Sequence, residues 1–171
     1  MEKIVFPNFL PYEQLDLAHS HESMELNRYR WLALSFLPVD PSVSRLMSSI
    51  GLECVHRLSN LHEAAVQLGL DACVNDPPAW ELPSCYRNSS RHFFVIDERM
   101  GQHLLEYAEE SASETYVFFN RLLETNATPE LHKALWNCVN QKNNELKVIK
   151  EYRECWKSDS LELNTTKINE I

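Results

Sequence analysis

The sequence predicts an all-α protein, an antiparallel four-helix bundle of two hairpins joined by one long connection. Three observations predict it. Only three glycines (Gly51, Gly69 and Gly101) occur in 171 residues, too few for a turn-rich all-β fold. Apolar residues recur at helical spacing through four long segments. Two of the breaks between segments are short and end in proline, whereas the third runs from Asp71 to about His92 and holds Pro77, Pro78 and Pro83.

The first helix is expected from Tyr12 to Leu37. Its inward stripe is Leu15, Ala18, Glu22, Leu26, Tyr29, Ala33 and Phe36, and Pro38 ends it. Asp40-Pro41 supplies an N-cap followed by proline at the first helical position. The second helix then runs to about Leu70, with Leu46, Ile50, Cys54, Leu58, Leu61, Ala65 and Leu68 apolar. The third is expected from Phe94 to Glu124 with the stripe Leu105, Glu109, Ala112, Tyr116, Phe119 and Leu123. Thr128-Pro129 caps the fourth, which continues to about Trp156 through Leu131, Leu135, Cys138, Leu146, Ile149 and Tyr152. Residues 1–156 thus form the bundle, and the polar stretch 157–171 forms a frayed tail.

Composition narrows the function classes. The length suits one domain with a sizeable core. A formal net charge of −9 disfavours nucleic acid and anionic membranes as partners. No apolar run reaches the roughly 18 residues of a membrane span, and no signal peptide precedes the first helix. The five cysteines are widely spaced and form no Cys-x-x-Cys, which excludes a zinc ribbon and fits reduced thiols in the cytoplasm.

The candidate chemistry starts at Glu53-Cys54-Val55-His56. A Glu-x-x-His on a helix stacks a carboxylate and an imidazole on one face, where both can hold one metal ion. Glu22 and Glu109 are acids inside apolar stripes, and a buried carboxylate needs a metal, a cation or a proton. The two hairpins also repeat: an offset of 87 carries Glu22 and Tyr29 onto Glu109 and Tyr116, and one of 88 carries Asp40-Pro41 onto Thr128-Pro129. The tyrosines read as packing residues, as do Cys54 and the four tryptophans. His62, His92, His103 and His132 have no partner at ligand spacing and read as surface residues.

The stretch Glu22-Ser23-Met24-Glu25-Leu26-Asn27-Arg28-Tyr29, followed by Glu53-Cys54-Val55-His56, resembles the first hairpin of rubrerythrins and their ferritin-like relatives. In such di-iron carboxylate bundles each pair of helices supplies one Glu and one Glu-x-x-His. The resemblance implies Glu22, Glu53, His56 and Glu109 as metal ligands, with Glu110 as the fallback for Glu109. The fourth helix departs from the pattern. Gln141 and Asn144 stand where the second Glu and His belong, and neutral amides bind transition metals poorly. Glu145 or His19 is left to complete the second half-site.

Two functions follow. One is an iron-binding protein holding one or two ions, with manganese or zinc also compatible, that activates oxygen or peroxide and takes electrons from a separate donor protein. The other is a non-catalytic bundle of the same fold that binds a partner or a small apolar ligand. A homodimer is compatible with either.

Overall fold

The computed structural model describes residues 9–74 and 92–168, with side chains through Trp156. It holds four helices and, among the described residues, no strand. These are α1 (Pro11–Phe36), α2 (Pro41–Gln67), α3 (Glu98–Glu124) and α4 (Pro129–Ile168), with a single 3-10 turn at Asp71–Cys73. None of these helices is long and apolar enough to cross a membrane. Pro77, Pro78 and Pro83 of the long connection lie outside the described residues, as do Trp80 and Cys85.

Local chemistry fixes the helix ends. Asp40 Oδ1 accepts the backbone N–H groups of Ser42 at 2.8 Å and Val43 at 3.1 Å, satisfying donors that the first turn leaves open. At the other end of α2, Gly69 adopts φ +68°, a left-handed conformation that costs glycine little. This lets Gly69 N–H reach Val66 O at 3.1 Å and Leu70 N–H reach Ala65 O at 2.8 Å, closing the helix with two reversed bonds. The third helix starts four residues later than its apolar pattern suggests. Asp97 caps it through Met100 N–H at 2.7 Å. The preceding Phe93 packs edge-on against Trp31, and Val95 N–H donates to Ser35 O at 3.0 Å. The fourth helix runs past Trp156 to Ile168, because no proline or glycine interrupts the polar stretch that was expected to fray.

α1 packs chiefly on α2, and α3 on α4. Contacts between α1 and α2 pair Ser44 Oγ with Ala33 O at 2.7 Å, Gly51 with Leu26 and Tyr29, and Arg57 with Glu22. Near the far end of α4, Trp156 lies over Gly101, where an added Cβ would come within 2.5 Å of the indole ring. All seven residues of the first-helix stripe are buried.

The core is divided. One apolar cluster gathers Tyr29, Phe36, Met47, Ile50, Leu105 and Ile149; the other gathers Leu15, Leu61, Phe119, Leu131 and Leu135. On every helix that contributes to it, a layer of buried charge separates the two. Glu22 and Glu25 fall between Ala18 and Leu26, Arg57 between Cys54 and Leu61, and Lys142 and Glu145 between Cys138 and Ile149.

Candidate functional site

The charged layer is where an interior site would have to be. Glu22 is fully buried, and two cations converge on its carboxylate. Arg57 Nε donates to Glu22 Oε1 at 2.8 Å, and Lys142 Nζ donates to the same oxygen at 3.1 Å while lying 3.0 Å from Oε2. Arg57 continues outward from there. Its Nη1 donates to Gln141 Oε1 at 3.0 Å and lies 2.6 Å from Glu145 Oε1, and its Nη2 reaches Cys54 Sγ at 3.3 Å. Lys142 Nζ also lies 3.5 Å from Glu145 Oε2 and 4.0 Å from Glu25 Oε2, and sits 5.8 Å from the centre of the Phe119 ring. Glu25 is ion-paired with Arg28 one turn along α1.

Counting Arg28, three carboxylates face three cations, so the layer is neutral as drawn. Such neutrality is what makes it tolerable, since an uncompensated ion inside a protein is strongly destabilising. Burial alone would push the Glu22 carboxyl up, but Lys142 and Arg57 outweigh it and hold the group below the usual carboxylate range. For Glu25 and Glu145 burial wins over the neighbouring cations, and both carboxyls are raised. Burial would lower Lys142 and Arg57, yet the surrounding carboxylates, Glu22 foremost, hold both above their ordinary values and therefore charged. Burial also raises the thiols, well above the ordinary value for Cys54 and to about 12 for Cys138. These thiols are kept protonated and are not activated nucleophiles.

The four residues expected as metal ligands are not brought together. Glu22 alone enters the interior, and its partners are cations. Glu53 and His56 are 49% and 70% exposed and face each other at 3.9 Å on the surface of α2. The physical reason is rotational phase. Cys54, Arg57 and Leu61 occupy the inward face of α2, and the neighbouring Glu53 and His56 stand about 100° away on a 3.6-residue helix. Glu109 is likewise one position from the inward face of α3, which is made by Leu105, Ala108, Ala112 and Thr115, and it pairs at the bundle edge with Arg153. Glu110 is exposed, and His19 is half-buried. Gln141 accepts from Arg57, Asn144 is exposed, and Glu145 is a member of the charged layer. Among the described residues, no group of three or more His, Cys, Asp or Glu side chains could hold a metal ion. Arg57 and Lys142 escaped the sequence reading although both fall in phase with apolar stripes, Cys54 to Leu61 and Cys138 to Ile149. That phase was the available signal.

His21 borders the layer on the α3 side. Its Nε2 lies 3.2 Å from Thr115 Oγ1, and its ring stacks on Phe118 with centroids 4.1 Å apart. Burial, followed by the charges of Arg28 and Lys142, lowers its pKa from 6.5 to about 4, with Glu22 opposing. The unfolded imidazole therefore binds its proton first, so this group stabilises the fold above pH 6.5 and its contribution is lost as pH falls toward 4. The full difference is at most about 3 kcal/mol, reduced by the partial exposure of the ring. The raised carboxyls of Glu25 and Glu145 act oppositely, costing stability as pH rises above 4.5. Urea midpoints measured at pH 5 and 7 should thus rise with pH more steeply in the native chain than in His21→Gln. Equal slopes would show that the imidazole titrates alike in both states.

No protein-family model, curated protein or solved structure matches the chain.

Proposed function

We propose that this chain is a ferritin-like, antiparallel helical bundle whose interior cation positions are filled by its own side chains, and that it works as a partner-binding protein. The observation that carries this reading is the placement of Arg57 and Lys142 among Glu22, Glu25 and Glu145. In a di-iron carboxylate bundle, acids on facing helices converge on metal cations. Here acids converge on a guanidinium and an ammonium group. The order of the contacts between α1 and α2, from Ser44–Ala33 through Gly51–Leu26 to Arg57–Glu22, supports the antiparallel arrangement. The internal repeat supports the kinship in position, since an offset of 88 carries Cys54 and Arg57 onto Lys142 and Glu145, the buried i, i+3 pairs of α2 and α4.

The iron-dependent redox reading requires Glu53 and His56 to face inward. Turning α2 by about 100° to achieve this would carry Arg57 and Leu61 away from the core. The binding reading requires no such change. The test is an anaerobic ferrous titration, repeated with zinc, of chelator-treated protein made without a metal-affinity tag. No saturable binding and an unmoved melting temperature are expected. One ion held per chain at stoichiometric concentration would overturn the proposal.

A further inference from the structure

Tyr29 is fully enclosed, and among the described residues no hydrogen-bond partner reaches its hydroxyl. That sets it apart from the other large polar side chains of the interior. Arg57 and Lys142 are as deeply enclosed, and each faces both Glu22 and Glu145. A buried hydroxyl left without a partner carries the full penalty of its desolvation, so such a group in a native fold calls for an explanation. Tyr29 lies one turn after Glu25 and two after Glu22 on the inward face of α1. Its stem is set against α2 at Gly51, where an added Cβ would stand 3.8 Å from Tyr29 Cβ.

The hydroxyl borders the charged layer. Burial first, then the charges of Glu25 and Glu145, raise it well above its ordinary range, so it keeps its proton as a donor. Cys54 adds to the rise and Arg28 opposes it. Both carboxylates are held from other sides. Glu25 is paired with Arg28, accepts from Thr115 and has Lys142 Nζ at 4.0 Å. Glu145 has Arg57 Nη1 at 2.6 Å and Lys142 Nζ at 3.5 Å. An ionised carboxylate offers about four lone-pair sites, so each retains capacity to accept.

We propose that the charged layer contains a binding site for one internal water molecule, which accepts from Tyr29 Oη and donates to the carboxylates of Glu25 and Glu145, linking α1 to α4. The site lies in the interior and does not rest on the partner-binding reading. Charge and proton counting select the guest. The layer already matches three carboxylates with three cations, so an added ion would unbalance it. Tyr29 has one proton to give, and ionised carboxylates only accept. The guest is therefore neutral, accepts once and donates twice, as water does. Buried waters typically make about three hydrogen bonds to polar groups that otherwise lack them. The bridge crosses between the hairpins beside the direct Glu22–Lys142 and Arg57–Glu145 contacts.

The experiment pairs a high-resolution crystal structure of the full chain at neutral pH with oxygen-17 magnetic relaxation dispersion in solution, which counts long-lived internal waters. One ordered oxygen is expected at roughly 2.5–3.0 Å from Tyr29 Oη and from each of the two carboxylates. Tyr29→Phe should lose one long-lived water. Its melting temperature should fall by roughly 2–4 °C, the shift that the net contribution of one hydrogen bond gives in a chain of this size. A direct hydrogen bond from Tyr29 Oη to either carboxylate would overturn the proposal. So would an unchanged water count in Tyr29→Phe, or a melting temperature that stays level or rises, which would show a hydroxyl with no partner to lose. Crystals soaked in rubidium chloride supply one more arm: anomalous density at the site would assign it to a monovalent cation and overturn the neutral guest. The crystal structure of the native chain decides even where the variant fails to fold.

Discussion

Lys142→Met is expected to destabilise the protein by about 3–5 kcal/mol, the range for breaking a buried ion pair from one side. That is a large share of the roughly 5–15 kcal/mol by which a domain of this kind is stable. The side chain is fully enclosed, and methionine fills much of its volume, so the loss comes from charge rather than from a cavity. Glu22 would keep Arg57 at 2.8 Å but lose the ammonium at 3.0 Å, and Glu25 and Glu145 would lose it as well. Without that cation the carboxyls of Glu25 and Glu145, already raised by burial, are pushed further up, and Glu22 loses one of the two cations that hold it down. Groups so raised destabilise as they ionise, so the deficit should be smaller at pH 5 than at pH 8. Urea denaturation at both values checks magnitude and sign together. A deficit below about 1 kcal/mol at pH 8, typical of an exposed pair, would show that water reaches the layer.

Replacing the paired charges together should do the opposite. A chain carrying Glu22→Leu, Arg57→Met, Lys142→Met and Glu145→Leu keeps the Glu25–Arg28 pair and joins the two apolar clusters into one. Its stability is expected to equal that of the native chain or exceed it by about 1–4 kcal/mol, because those four charges need no longer be desolvated. Gln141 loses its contact with Arg57 but is only half-buried and can turn to water. The contrast with the single substitution is a test of non-additivity within one network. A fourfold variant clearly less stable than the native chain would mean that the ion pairs contribute net stability, and a loss equal to that of the four singles combined would mean that the four side chains act independently.

Much of the fold was legible because its signals are local. Asp40, Pro41 and Pro129 mark helix starts through their own backbone chemistry, and the phase of the first stripe, from Leu15 to Phe36, followed from spacing alone. The start of α3 was read too early because Phe93, Phe94 and Val95 are as apolar as the helix they precede; their partners, Trp31 and Ser35, are more than fifty residues away in sequence. In the candidate site, the burial of Glu22 was legible and the nature of its partner was not. A carboxylate in an apolar stripe calls for a metal, a cation or a proton, and the sequence alone leaves that choice open. Glu53 and His56 have ligand spacing, but spacing does not say which way the helix is turned. Cys54, Arg57 and Leu61 together do, once a charged residue is accepted as an inward one.

The charged layer also bears on how α4 can sit along its neighbours. Apolar side chains tolerate sliding, since one leucine replaces another with little penalty. Lys142 does not. A one-turn displacement of about 5.4 Å in one direction would bring Glu145 to the place of Lys142, setting carboxylate against Glu22. In the other direction it would bring Cys138, leaving Glu22 with Arg57 alone. Either slip carries the penalty of an unbalanced ion in a dry interior. Lys142 thus works as an axial pin, giving a long and otherwise repetitive helix one favoured register.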